Sequence, residues 1–274
     1  MTDPAPTGTP TGIPSGVTSE EAAARAAESL KAVAGATEHL LRTVAELDPE
    51  AVAGPSALPG WTRGHVLAHL ARNADSLVNL LETALTGVDI PQYASPEARE
   101  QGIRDGAGRP LDEQLADLRH TAERLARTAE SLPDAAWTVP LRHRTGYVFP
   151  AYEVPWKRLM EVEYHHVDLD AGYTPAHWPE AFAGAELARL AARLDGAEGL
   201  PAVVLTAEDT GARVRLGEPA DPGTAGPELA VEGPVRALTA WLSGRSDGDG
   251  LQVHRSGVLL PDPRTALPPL PPLN

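Results

Sequence analysis

Between Met160 and Asp170 the chain reads MEVEYHHVDLD, with two adjacent histidines and four carboxylates. Far upstream, PGWTRGHVLAHLARN (Pro59 to Asn73) adds His65 and His69. Imidazole and carboxylate are the side chains that bind divalent metals when no thiolate is present, and this chain has no cysteine. Each helical residue advances about 100°, so with Glu161 at zero His165 lies about 40° to one side and Asp168 about 20° to the other. His166 falls at about 140°, away from that stripe. Glu161 and His165 can therefore converge on one inward point, and His166 cannot join them. Asp168 has the spacing to support His165 as an outer hydrogen-bond acceptor.

The upstream helix sorts its histidines in the same way. Its apolar stripe is centred on Val66, Leu70, Leu77 and Leu81. His69 borders that stripe beside Asn73 and Leu80, while His65 turns towards Arg72 and Ser76 and reads as a first-turn surface residue. His69, Glu161 and His165 form a two-histidine, one-carboxylate set, which suits catalytic Zn²⁺ with one open position. Iron(II) accepts a similar set, so ligand type does not choose the metal. By spacing alone, such residues on a bundle helix are more often surface groups or a buried hydrogen-bonded pair than metal ligands. By the same reading His166 is a partly exposed packing residue, and Glu163 and Asp170 are solvated.

Other chemistries find little support. HVLAH has the histidine spacing of a zinc protease helix but carries Val66 where the general base belongs. There is no phosphate-binding glycine loop and no nucleophile elbow. A net charge of −15 disfavours nucleic acid and anionic membrane surfaces. No apolar run is long enough to span a bilayer. The start, MTDPAPTGTPTGIPSG, lacks the basic and apolar regions of a signal peptide. A cytoplasmic monomer is the simplest expectation.

The elements that must position these side chains are mostly helical. Ala and Leu dominate and aromatic residues make up only 4% of the 274 residues. A leader, residues 1–17, precedes a first helix opened by the Thr18/Glu21 capping-box pair and running to about Leu47. After the break DPEAVAGPSALPG, Thr62 caps a second helix to about Leu85, with Trp61 placed as a hydrophobic staple. The polar connection TGVDIPQYASPEAREQGIRDGAGRP leads to a third helix from near Asp112 to Leu132. The fourth covers about Val154 to Ala171. Four helices with one long connection predict a bundle over residues 18–175. A smaller α/β domain, 176–260, follows: a helix over Glu180–Leu194, strands in PAVVLTAED and ARVRLGE, a strand then a helix in ELAVEGPVRALTAWLSGR, and a last strand in GLQVHRSG. A Pro-rich tail, 261–274, reads as extended or loose.

Three stretches then resemble a known family. LPGWTRGHVLAHLARNADSLVNLL, VPWKRLMEVEYHHVDLDAGYTP and ALTAWLSGR are similar, in order and from about Thr18 to Val258, to the mycothiol-dependent maleylpyruvate isomerases. QYASPEAR resembles a loop of closer relatives. The resemblance implies a DinB-like four-helix bundle joined to a small α/β, sterol-carrier-like domain. It implies a divalent metal, typically zinc, held by His69, Glu161 and His165, and a functional arginine at Arg245. It implies mycothiol as thiol partner and a small dianionic substrate, in gentisate degradation. The implied reaction turns maleylpyruvate into fumarylpyruvate by thiolate addition, bond rotation and elimination. Family members have diverged, so a mycothiol S-transferase or a non-catalytic metal- or thiol-binding protein stands as the alternative. Arg245 also suits a helix-end cap after Ser243, and Arg158, one turn before Glu161, is expected to pair with it.

Overall fold

The computed structural model describes residues 16–217 and 229–271. The chain divides into two units, 1–172 and 173–274. The expected leader lies outside the described residues except for its last two positions.

The first unit is helical. Helix α1 spans Ser19–Ala45 and opens on the expected box: Thr18 Oγ1 accepts from the Glu21 amide at 3.2 Å, and the Glu21 carboxylate accepts from the Thr18 amide at 2.9 Å. Helix α2 spans Arg63–Thr86 and ends at Gly87, whose φ of 71° is the left-handed cap that glycine adopts freely. Helix α3, Pro96–Ala107, stands where sequence reading left a long polar connection with at most a short helical turn. Its charged, Gly-containing sequence hides the signal, but Ser95 caps it by accepting from the Ala98 amide at 3.1 Å, and Pro96 opens its first turn. Helices α4 (Leu111–Glu130) and α5 (Val154–Asp168) follow. A hairpin of β1 (Pro140–Arg142) and β2 (Val148–Pro150) precedes α5.

Helix α2 is the centre of this unit: 15 of its 24 residues are buried. The single apolar stripe expected from sequence is too narrow a description, because α3 covers a further face. Two glycines permit that approach. A Cβ on Gly64 would sit 2.2 Å from the Ala107 carbonyl oxygen, and one on Gly106 would sit 2.7 Å from the Ala68 Cβ. On the other sides α2 packs against α4 and α5, and Val66, Leu67, Leu70, Leu77 and Leu81, all at most 2% exposed, share hydrophobic clusters with residues of α1. Burying each such side chain stabilises the fold by roughly 1.5–3 kcal/mol.

The second unit places helices against a five-stranded sheet. Helix α6 is Glu180–Leu194. The strands are β3 (Val203–Ala207), β4 (Arg213–Leu216), β5 (Leu229–Gly233), β6 (Gln252–Arg255) and β7 (Val258–Leu259), in spatial order β4-β3-β5-β6-β7. Among the strands of the described residues, β3 and β5 pair in parallel and the other neighbours are antiparallel. Helix α7, Val235–Leu242, leaves β5 at Gly233-Pro234 and shares a core with α6, β3, β5 and β6. The tail is less loose than expected. It forms a short helix at Pro263–Ala266, and Leu267 and Leu270 pack on the same core.

Candidate metal centre

The end of α5 is tied to the start of α2, and this sets the site. Arg63, in the first turn of α2, donates from Nε to the Leu169 carbonyl at 2.9 Å and from Nη2 to the Asp170 carbonyl at 2.8 Å. The Ala57 amide donates to the Asp168 carbonyl at 2.8 Å. Carbonyls at a helix C-terminus lack intrahelical donors, and a guanidinium fork satisfies two at once. Asp170 then takes a positive φ of 53° and the chain leaves the helix. With the two ends clamped, His69 on α2 faces Glu161 and His165 on α5.

These three side chains meet closely. His69 Nε2 lies 2.9 Å from Glu161 Oε2 and 3.0 Å from His165 Nε2, and the third edge, His165 Nε2 to Glu161 Oε2, is 3.2 Å. Donors around a tetrahedral zinc ion, at roughly 2.0–2.2 Å from it, stand about 3.3 Å apart. The triangle is a little tighter than that and has the right shape. Its donor set is also right in kind: two imidazole nitrogens and one carboxylate oxygen aimed at one point. The His69 and His165 side chains are 6% and 15% exposed, but that of Glu161 is 31% exposed, so the cluster opens to solvent on the Glu161 side. The residues fit a divalent metal with an accessible position.

The outer contacts favour the same arrangement. Asp168 Oδ2, on a side chain only 4% exposed, lies 2.9 Å from His165 Nδ1. The two groups are at ion-pair distance. A carboxylate on the far nitrogen biases the ring towards offering Nε2 to the centre. Burial lowers the His165 pKa, but contact with Asp168 and Glu161 outweighs it and the net direction is upward. Burial alone would raise the Glu161 pKa, but the two histidines hold it well below the usual carboxylate value. For His69 burial dominates and the pKa falls, which favours the neutral, ligating form. The Trp61 ring meets His69 edge-on with centroids 5.6 Å apart, so Trp61 walls the site as well as flanking the helix start.

The remaining residues singled out in sequence sort differently. His65 is part of the α2 cap: its Nδ1 lies 2.7 Å from Thr62 Oγ1 and accepts from the Thr62 amide at 3.2 Å. His166 faces α1, as its angle predicts, but it is buried, not partly exposed, with Nε2 2.8 Å from Thr43 Oγ1 and its ring edge-on to His39. Glu163 is buried as well, against the expectation of a solvated acid. Asp170 is exposed. Arg158 does not pair with Glu161. Its buried Nη1 donates to the Leu70 carbonyl and to Asn73 Oδ1, each at 2.8 Å, and burial pushes its pKa down to about 10. Arg245, in the second unit, donates from Nη1 to the carbonyl of Ser243, the C-cap of α7, at 2.7 Å.

Sequence reading missed Tyr93 and Arg99, which come from QYASPEAR. Arg99 Nη2 approaches His69 Nδ1 at 3.4 Å and its guanidinium lies over the Tyr93 ring at 5.9 Å. Burial raises the Tyr93 pKa, which keeps the phenol protonated. The one usable signal was the Ser-Pro-Glu start of α3, which would have placed Arg99 on a helix.

Comparison with known proteins now adds identity to geometry. A family model for the mycothiol maleylpyruvate isomerase N-terminal domain matches residues 33–170. No curated protein sequence matches the chain. Among solved structures, the crystal structure of a mycothiol-dependent maleylpyruvate isomerase is 29% identical, over 90% of this chain and 96% of that one, with a TM-score of 0.78. A histidine-to-alanine mutant under the same name aligns over the same shares at a TM-score of 0.77. Because the matched segment holds all three converging side chains and the likeness extends over nearly the whole chain, the protein belongs to the mycothiol maleylpyruvate isomerase family.

Proposed function

We propose that the protein is a mycothiol-dependent cis–trans isomerase that converts maleylpyruvate to fumarylpyruvate with a divalent metal, zinc by preference, on His69, Glu161 and His165. The observation behind this reading is the convergence of three donor atoms within 3.2 Å of one another, in a chain with no thiol of its own. A free thiol has a pKa near 8.5, and a divalent cation on these donors would supply the charge that keeps a bound thiol ionised at neutral pH. The overall reaction adds a thiol across the cis double bond, allows rotation about the resulting single bond and eliminates the thiol again, with no net redox change.

The chain's own residues have separate tasks in this reading. His69 and His165 present Nε2, and Glu161 presents the one anionic donor. Asp168 orients His165 and supports its basicity. Trp61 excludes water from one side of His69. Arg245 is assigned to a substrate carboxylate on the family resemblance of ALTAWLSGR.

The reading is tested by metal analysis of the purified protein and by an isomerisation assay with and without mycothiol. Near-stoichiometric zinc, mycothiol-dependent turnover and loss of both metal and turnover in His69→Ala are expected. Absence of bound metal, with turnover intact in His69→Ala, refutes the metal assignment. Bound metal without isomerisation, but with mycothiol transfer to other electrophiles, makes the protein an S-transferase. An Arg245→Ala variant with unchanged KM and kcat removes that residue from the site.

A further inference from the structure

Beside the metal centre lies a cleft of about 350 Å³. It is formed by the loop after α2, the start of α3 and the turn between β1 and β2. Its walls are fixed in place. Asn79 Nδ2 donates to the Pro91 and Gln92 carbonyls, each at 3.2 Å, and buried Gln92 accepts the Arg144 amide through Oε1 at 2.7 Å. The His143 ring stacks on Tyr147 with centroids 4.5 Å apart, which stiffens the turn.

Three arginines line this cleft, Arg99, Arg142 and Arg144, in a protein whose net charge is −15. Two carboxylates share the lining. Glu100 is tied to Arg99, and Asp89 makes no ion pair among the described residues. Among the described residues neither Arg142 nor Arg144 enters an ion pair, and the one side-chain contact of Arg142 is a 3.5 Å approach to the Gly146 carbonyl. Three guanidinium groups in a preformed concavity of an acidic protein, two of them without an ion-pair partner among the described residues, suit an anionic ligand with planar acceptors. Burial, then the nearby Lys157 and Arg144, push the His143 pKa down to about 4, so the positive field reaches the cleft wall. Arg99 joins the cleft to the centre, because the same side chain approaches His69.

We propose that Arg99, Arg142 and Arg144 form a carboxylate-binding subsite that holds the anionic end of the electrophile next to the metal centre. This deepens the isomerase reading and rests on it: the substrate class becomes electrophiles bearing a carboxylate remote from the reacting bond. The residues of the subsite all belong to the first unit.

The test is calorimetric titration of the full-length protein, zinc-loaded and chelator-stripped, with succinate and with uncharged succinamide. Succinate is expected to bind both forms, succinamide neither. The double variant Arg142→Gln/Arg144→Gln should weaken succinate binding by about tenfold or more, with partial recovery in Arg142→Lys/Arg144→Lys, since lysine keeps the charge but not the fork. Arg127→Gln, on the outer face of α4, should change nothing, and equal melting temperatures show that the variants fold. Succinate affinity unchanged in the double glutamine variant, or binding that needs only the metal, overturns the subsite. The two readings fail separately. Arginine-dependent succinate binding without isomerisation leaves the subsite standing and removes the isomerase. Isomerisation with a parental KM in the double variant does the reverse.

Discussion

The contact between Asp168 and His165 allows a demanding test of the metal centre. Asp168→Asn keeps the size of the side chain and one acceptor oxygen, and removes the charge. At the observed 2.9 Å, with an effective dielectric constant of about 20, opposite unit charges attract by roughly 6 kcal/mol. Desolvation of a buried carboxylate cancels much of that gross figure. What survives in metal sites is a 10–100-fold effect on affinity, or about 1.4–2.8 kcal/mol. Asparagine keeps one acceptor oxygen for Nδ1 but no charge, so it should recover only part of the interaction. Zinc affinity is measured by competition with a chromophoric chelator at pH 8, where protons compete least for His165. The expected result is a loss of one to two orders of magnitude in Asp168→Asn, with the three-donor set still binding one ion. Asp168→Asn binding zinc as tightly as the parent, while His69→Ala and Glu161→Gln lose it, would refute the reasoning. A melting scan of the metal-free variant separates this effect from general loosening of the helix end.

Three further outcomes are expected. Gly64→Ala drives a methyl towards the Ala107 carbonyl at 2.2 Å, so it should destabilise by about 1–3 kcal/mol in urea unfolding and move α3 off α2; parental stability would mean that α3 is not held by this contact. Arg158→Met leaves the Leu70 carbonyl and Asn73 without their charged donor, at a cost of about 1.5–3 kcal/mol for each hydrogen bond lost, and metal affinity should follow only through stability. His143 has a folded pKa lowered to about 4 from 6.5, so the neutral ring favours the folded state above pH 6.5 and that contribution is lost as pH falls towards 4. Melting temperatures of His143→Asn should therefore fall less steeply across that window than those of the parent, and identical slopes would count against the shift.

Much of the site was legible before any coordinates. Helical angle alone separates His165 from His166, because 100° per residue is a property of the backbone and needs no partner. The Thr18/Glu21 and Thr62 caps are equally local, since the residues that satisfy the first amides lie within one turn. The strands of the second unit show themselves by short apolar runs between Gly and Pro.

What stayed hidden depends on contacts distant in sequence. Helix α3 carries a polar, glycine-bearing sequence that reads as loop, and it forms because Gly64 and Gly106 let it lie against α2. The burial of His166 is decided by α1, more than 100 residues earlier, and not by its own helix. Arg158 had a plausible partner one turn away and instead satisfies a carbonyl and an amide on α2. The sequence by itself determined which side chains could face a metal, because helix periodicity and donor chemistry are intrinsic to the residues. Only the tertiary structure decided that three of them meet, and that three arginines gather beside them. Both depend on the Arg63 clamp between α2 and α5 and on the packing of α3 and the hairpin around α2, contacts between residues up to 107 positions apart.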